Sequence, residues 1–442
     1  MKEVVEKLCQ LEEVEKYRES RVFIEPIYSN ERFHPKFRTL LGVYFHPIEL
    51  DTGTIINIQH PEALPLPYEK ILSILQNFPF LFTLNKKDLL YQLPLPKTID
   101  INLIYTFENF DRLVLPDDPS MIRWMYRYHR DRRDMNLYVP LSKLYEKSFN
   151  RFVKAKESIQ KFKETPEFLF YNNDGVSVLF LIEKEGIKIN SEEIIKKYNI
   201  ETPELNIRDN TAYTYFNLYN NTSRPTNSFN QINFSAIPHK PEYRKHFLPK
   251  NDKFIELDFD GYHLRLIGNL IGYPFTEESA HLQLGKEYFK KTELTEQEYS
   301  KTKQINFSSI YGTSPEEYKD TPFISKLEKY TEELWKKFIE NGYIRDELSG
   351  RKLSNKLSDM YPKKLFNYSV QSLETSNNLM TLKKILKSLR DCKSKLVMYT
   401  YDAFLVDFSN DDGDTVLFNI KTIMEQEKKY PVEIKESKTL VL

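Results

Sequence analysis

Two β-prone apolar segments of this chain each lead to an aspartate, and this pattern constrains the fold more than any other feature. Asp258 ends the run Phe254-Ile-Glu-Leu, and Asp402 lies at the expected bend between predicted strands at 395–401 and 404–408. Neighbouring strands can bring such carboxylates together, and a carboxylate pair can hold two divalent cations about 4 Å apart for in-line phosphoryl transfer. Taken singly, Asp258 is more simply a helix cap and Asp402 a turn residue. Asp260 is the expected cap of the helix that follows, which leaves Asp258 free for another role.

A predicted helix at 296–310 lies between the two aspartates. Lys303, Phe307 and Tyr311 recur every four residues and therefore share one face. Aromatic residues at this spacing more often belong to a core. A lysine on the same stripe favours a surface where a base stacks and a phosphate is neutralised. With the aspartates, the pattern predicts a nucleotidyl transferase.

Composition limits the class of protein. The 442 residues suffice for two or three domains, and Cys9 and Cys392 are too few for a disulfide framework or a zinc cluster. No apolar segment has the length of a membrane span, and the N-terminus lacks the form of a signal peptide. These features predict a soluble, cytoplasmic protein. The formal net charge of +0 argues against tight non-specific binding of nucleic acid.

One segment, at 121–164, is nevertheless basic. Its first part contains Arg123, Arg127, Arg130, Arg132 and Arg133. The segment is predicted to be helical, so a solvated helix face is the ordinary interpretation. A surface that follows a phosphate backbone is the alternative.

The pattern of elements divides the chain into three parts. Residues 1–150 read as an α/β domain, 151–221 as connecting helices with a polar, poorly periodic end, and 222–442 as a larger α+β domain. The predicted N-terminal strands are 21–27, 40–45, 54–58 and 80–84, with helices at 68–76 and 87–92. The predicted C-terminal strands are 253–259, 395–401 and 404–408, with helices at 279–290, 296–310, 323–340 and 361–389.

Six short blocks follow one another in the second half. They are Thr222-Ser-Arg224-Pro, Asp258-Phe-Asp-Gly-Tyr-His263-Leu-Arg265, Ala280-His281-Leu-Gln-Leu-Gly, Lys303-Gln-Ile-Asn-Phe307-Ser-Ser-Ile-Tyr311-Gly312, Asn367-Tyr-Ser-Val-Gln371 and Tyr401-Asp402-Ala403. In this order and spacing they resemble the motifs of family A DNA polymerases, the bacterial polymerase I type. The resemblance covers about residues 168–442. The compact chain with altered motifs resembles phage-encoded members of that family.

The resemblance implies a role for each matching residue. Asp258 and Asp402 would hold two Mg²⁺ ions, and Lys303 would neutralise the triphosphate as the third catalytic residue. The implied nucleotide-binding residues are His263, His281, Lys303, Phe307 and Tyr311. The implied DNA-binding residues are Arg224, Asn367 and Gln371. The substrates would be primer-template DNA and dNTPs.

The implied fold is an α/β exonuclease-like (RNase H-like) N-terminal domain plus an α+β right-hand polymerase palm and fingers with a strongly reduced thumb. The thumb is reduced because only residues 190–222 stand where the family places a long helical thumb. We therefore expect rapid dissociation from DNA, with a processivity factor or replisome protein as a partner.

The chain departs from the family pattern near the expected site. His263 replaces the glutamate that acts as a steric gate against the ribose 2′-hydroxyl, Tyr299 replaces an arginine, and Ala403 replaces a glutamate. Neither metal-binding aspartate is lost, so we expect an altered rate and an active site.

The N-terminal region resembles the family's 3′–5′ exonuclease domain poorly. Its first block reads Phe23-Ile-Glu25 in place of Asp-x-Glu, its second contains Lys86 and Asp88, and Asp134 stands for the third, with Arg130 in place of a tyrosine. We therefore predict that proofreading is absent. Two alternatives to a DNA polymerase stay open, a non-catalytic DNA-binding or replisome scaffold and a single-subunit RNA polymerase, whose gate residue is small.

Overall fold

The computed structural model describes residues 4–5, 8–111, 113–115 and 135–442. Much of the basic segment lies outside the described residues, including Arg123, Arg127, Arg130, Arg132, Arg133 and Asp134. From residue 135 onward that segment contains the helix Leu141–Lys161. Among the described residues, no helix combines the length and the apolar character that crossing a membrane requires.

A six-stranded mixed sheet organises the N-terminal region. Its strands, in spatial order, are Val4–Val5, Thr54–Asn57, Leu40–Pro47, Val22–Tyr28, Leu81–Thr83 and Ile99–Asp100. Leu40–Pro47 is buried along its whole length, because its side chains belong to two separate hydrophobic core clusters. The predicted strands and helices of this region agree with the structure within about two residues. The last strand and the helix that follows it, Ile101–Asn109, were not predicted.

The middle of the chain differs from the prediction of an irregular segment at 191–221. It contains the helix Ser191–Tyr198, which Asn190 caps at its start and Asn199 ends in the left-handed conformation. Short strands of a small four-stranded sheet follow. This helix has eight residues, of which only Ile194 is buried, so its apolar periodicity in the sequence is weak.

A four-stranded antiparallel sheet forms the base of the C-terminal region. Its strands, in spatial order, are Lys395–Tyr399, Ala403–Phe408, Lys253–Phe259 and Val432–Ser437. The major helices of this region share a separate core cluster; they are Ala280–Phe289, Glu296–Tyr311, Pro322–Asn341 and Pro362–Ser388. The four helices agree with the prediction within one residue at each end. Val432–Ser437 and the helix Gly413–Glu425 were not predicted.

Candidate active site

The two central strands of the C-terminal sheet bring the two aspartates together. Asp258 pairs with Ala403 on the neighbouring strand, and the amide of Phe259 donates to the carbonyl of Asp402 at 3.0 Å. Tyr401, with φ of 70°, forms the tight turn that exposes Asp402. Such a conformation is rare for a bulky residue and recurs at functional sites. The predicted meeting of the two strands is therefore present.

The electrostatics of Asp258 reflect this neighbourhood. Burial, and then the negative charge of Asp402, raise the pKa of Asp258 to about 7. A divalent cation between the carboxylates would relieve their repulsion. Mg²⁺ is often held by only one or two carboxylates together with substrate phosphates, so this donor set fits it. In the described part of the chain, no group of three or more His, Cys, Asp or Glu side chains forms a metal site.

A cavity of about 480 Å³ opens beside Asp402. The predicted site residues that line it are Arg224, His263, His281, Lys303, Phe307, Tyr311 and Asp402. Asp258, Asn367 and Gln371 do not line it. The cavity is thus bounded both by the turn of Asp402 and by the predicted Lys303, Phe307 and Tyr311 face of the helix Glu296–Tyr311.

That helix presents the predicted stripe to the cavity. Phe307 is 67% exposed, and its ring centroid lies 4.7 Å from that of Tyr311. The Lys303 ammonium group is exposed and lies 4.6 Å from the Tyr299 ring centroid. An exposed aromatic pair beside a lysine suits a ligand that has both a planar base and phosphates.

His281 is fixed to the same helix by a hydrogen bond between its Nδ1 and Asn306 Nδ2, at 2.9 Å. Asn306 Oδ1 in turn accepts from the Tyr288 hydroxyl at 2.7 Å. Burial, and then the charge of Lys303, lower the pKa of His281. The imidazole is therefore neutral near pH 7 and is oriented by its neighbours.

The remaining predicted residues lie along the long helix Pro362–Ser388 and its partner loop. The Gln371 side-chain oxygen accepts from the Thr222 hydroxyl at 3.4 Å. Asn367 Oδ1 is buried and has no hydrogen-bond partner among the described residues. A buried acceptor of this kind has capacity for a ligand. The Arg224 guanidinium carbon lies 3.8 Å from the Tyr401 ring centroid, beside the turn of Asp402.

The sequence did not reveal Glu374, whose side chain is 2% exposed on the cavity wall. Its carboxylate oxygens lie 2.9 Å from Arg224 Nε and 3.0 Å from His263 Nε2. His263 Nδ1 is hydrogen-bonded to the Tyr311 hydroxyl. Glu374 follows Asn367 and Gln371 on one face of the helix, and this i, i+4, i+7 spacing of polar residues was the available signal.

Asp260 was expected to cap the helix that follows it, and this prediction was wrong. The helix Tyr262–Ile271 begins after Gly261 without a side-chain cap. Asp260 instead accepts from the amide of Ala280 at 3.0 Å and pairs with buried Arg265 at 2.8 Å. A Cβ at Gly261 would lie 2.8 Å from that of Ala280, so this junction requires glycine.

Comparison with known proteins shows the fold. No protein-family model and no curated sequence matches this chain. Among solved structures, it is similar to the POL domain of Pol1 from M. smegmatis in complex with DNA primer-template and dNTP. The TM-score is 0.70 at 12% identity, over 98% of this chain and 97% of that one. The predicted mixed α/β fold is thereby confirmed, and this chain has the fold of that polymerase domain.

Proposed function

We propose that this protein is a template-directed DNA polymerase that adds dNTPs to a primer 3′ end. The observation that carries the proposal is the cavity beside Asp402, where Lys303, His281 and the Phe307–Tyr311 pair converge, with Asp258 on the strand that pairs next to Asp402. The fold shared with a polymerase domain whose structure contains primer-template and dNTP supports it.

The side chains suit the separate tasks of this reaction. Asp258 and Asp402 would hold the two Mg²⁺ ions, which when bound activate the primer hydroxyl and stabilise the leaving pyrophosphate. Lys303 and neutral His281 would contact the triphosphate, and the exposed face of Phe307 would pack against the sugar and base.

The primer-template would lie on the side of the site that faces the long helix Pro362–Ser388. Arg224, Asn367 and Gln371 would contact the primer-template near its end. Polar contacts to minor-groove acceptors there detect a correctly paired end without reading its sequence.

The proposed activity is tested by primer extension with Mg²⁺, offering each dNTP and each NTP separately. We expect template-dependent addition of dNTPs that stops when EDTA removes the metal. Preferential addition of NTPs would instead identify an RNA polymerase. A protein that binds primer-template without extending it would be a scaffold.

We also propose that proofreading is absent, because the described carboxylates of the N-terminal blocks, Glu25 and Asp88, are paired with cations of the chain itself. Glu25 forms an ion pair with Arg151, and Asp88 pairs with Arg38 at 2.8 Å. Phe23, at the position of an expected aspartate, is fully buried, with its ring centroid 5.7 Å from that of Phe152. A two-metal exonuclease site needs these carboxylates free.

Excision of a mismatched 3′-terminal nucleotide is therefore expected to stay at the background rate with Mg²⁺ or Mn²⁺. The measurement is loss of a labelled mismatched primer end in the absence of dNTPs. A proofreading polymerase serves as the positive control. Metal-dependent excision by the wild-type chain would contradict the prediction.

The short segment at the expected position of the thumb predicts low processivity. Within residues 190–222, all of them described, the longest helix is Ser191–Tyr198, too short for a helical thumb that encloses a duplex. With a net charge of +0, little general attraction to DNA compensates. We propose that an accessory protein restores processivity in the cell. With excess unlabelled primer-template as a trap, we expect only short products, and long products from the protein alone would refute this.

A further inference from the structure

Glu374 is a charged residue of the cavity wall to which the proposed chemistry assigns no task. It lies on the long helix Pro362–Ser388, and its side chain is almost completely removed from solvent. A carboxylate is retained in such a place only when its charge is compensated. Arg224 provides the opposite charge at one carboxylate oxygen, and His263 Nε2 lies beside the other.

The contacts continue from His263 to the end of another helix. Nε2 of His263 lies 3.0 Å from one Glu374 oxygen, and Nδ1 is hydrogen-bonded to the Tyr311 hydroxyl. Tyr311 is the last residue of Glu296–Tyr311, the helix that also presents Phe307. The imidazole is thus held at both nitrogens between two helices.

We propose that Glu374 is a positioning residue that sets the preference for 2′-deoxynucleotides over ribonucleotides. This inference rests on the proposed function and on the expectation from the sequence that His263 occupies the gate position against the ribose 2′-hydroxyl. A bulky side chain excludes a hydroxyl only while it cannot rotate away. Releasing His263 from Glu374 lets the ring turn aside, which assists a ribonucleotide and does little for a deoxynucleotide.

Glu374 also orients Arg224, whose guanidinium lies against the Tyr401 ring beside Asp402. The two contacts of the carboxylate therefore have different readouts. Loss of the His263 contact changes sugar discrimination, whereas loss of the Arg224 contact weakens binding of the primer-template. A merely structural role for Glu374 would lower both nucleotide reactions equally.

The test is the ratio of kcat/KM for a dNTP to kcat/KM for the matching NTP, measured for wild type and Glu374→Gln. Because Glu374→Gln removes the charge beside His263, we expect the ratio to fall by about tenfold or more, which corresponds to about 1.4 kcal/mol. In a His263→Ala background, Glu374→Gln should change the ratio no further while still weakening primer-template binding. Glu332→Gln, on the exposed face of Pro322–Asn341, is the matched control and should leave both quantities unchanged.

Each outcome decides the matter. A wild-type ratio in folded Glu374→Gln, or an equal loss for both nucleotides, overturns the inference. If Glu374→Gln does not fold, Glu374→Asp keeps the charge and withdraws it by one methylene. Its ratio should then fall between those of wild type and His263→Ala, and a wild-type ratio would overturn the inference. A wild-type protein that extends no primer with any nucleotide would refute the proposed function itself.

Discussion

Replacing Asp402 or Asp258 by asparagine is expected to lower Mg²⁺-dependent primer extension by about 10³-fold or more, since metal stabilisation supplies several kcal/mol to such a reaction. Asparagine keeps the shape of aspartate and removes the charge that holds a divalent cation. The measurement is the single-nucleotide incorporation rate at saturating primer-template and dNTP.

The same substitutions should leave the protein at least as stable as before. Burial, and then the negative charge of Asp402, raise the pKa of Asp258, so the charged carboxylate is a cost of folding in the absence of metal that asparagine relieves. Thermal melting without Mg²⁺ should give an unchanged or higher midpoint. Asp411→Asn, at a carboxylate that is 70% exposed in an ion pair with Lys393, is the control and should change neither quantity. Wild-type rates in both aspartate variants would favour the scaffold alternative.

The sequence predicted those parts of the molecule whose pattern is local. The helix Glu296–Tyr311 begins with a capping box formed by Thr295 and Glu298, and its start was predicted correctly. The strand Lys253–Phe259 was also predicted at its observed bounds, because an apolar run ends there at a glycine-containing junction. From these two elements and the Asp402 turn, most of the cavity could be anticipated.

Parts that depend on distant partners could not be predicted. Asp260 has the sequence context of a cap, but Ala280 and Arg265 compete for its carboxylate. Glu374 is an acidic residue within a long helix, where a solvated position is the ordinary expectation. Its burial depends on Arg224 and His263, which belong to other elements.

The strand Val432–Ser437 was not predicted for a different reason. It lies at the edge of the C-terminal sheet, and most of its residues are exposed, so charged side chains replace the apolar alternation that marks a strand. Its pairing with Lys253–Phe259 nevertheless completes the base on which Asp258 lies.

A buried ion pair connects the N-terminal region to the rest of the chain, and Glu183→Gln is expected to destabilise the protein strongly. The Glu183 side chain is fully buried and pairs with Lys87. It also accepts from the Tyr91 hydroxyl at 2.8 Å and from the amide of Phe216 at 2.7 Å. Removing one member of a buried pair leaves the other charge uncompensated and costs about 3–5 kcal/mol. We expect a loss of about 3 kcal/mol in the free energy of unfolding by urea.

The double variant Glu183→Gln/Lys87→Met separates charge from packing. Glutamine still offers an oxygen to the Phe216 amide, and methionine fills the space of the lysine stem beside Tyr215, so no unpaired charge remains. The double variant should therefore recover most of the stability that either single variant loses. Glu157→Ala, which breaks an exposed ion pair with Lys161, is the control and should have little effect. A double variant no more stable than Glu183→Gln would show that the geometry of these three contacts, and not the paired charge, joins the two regions.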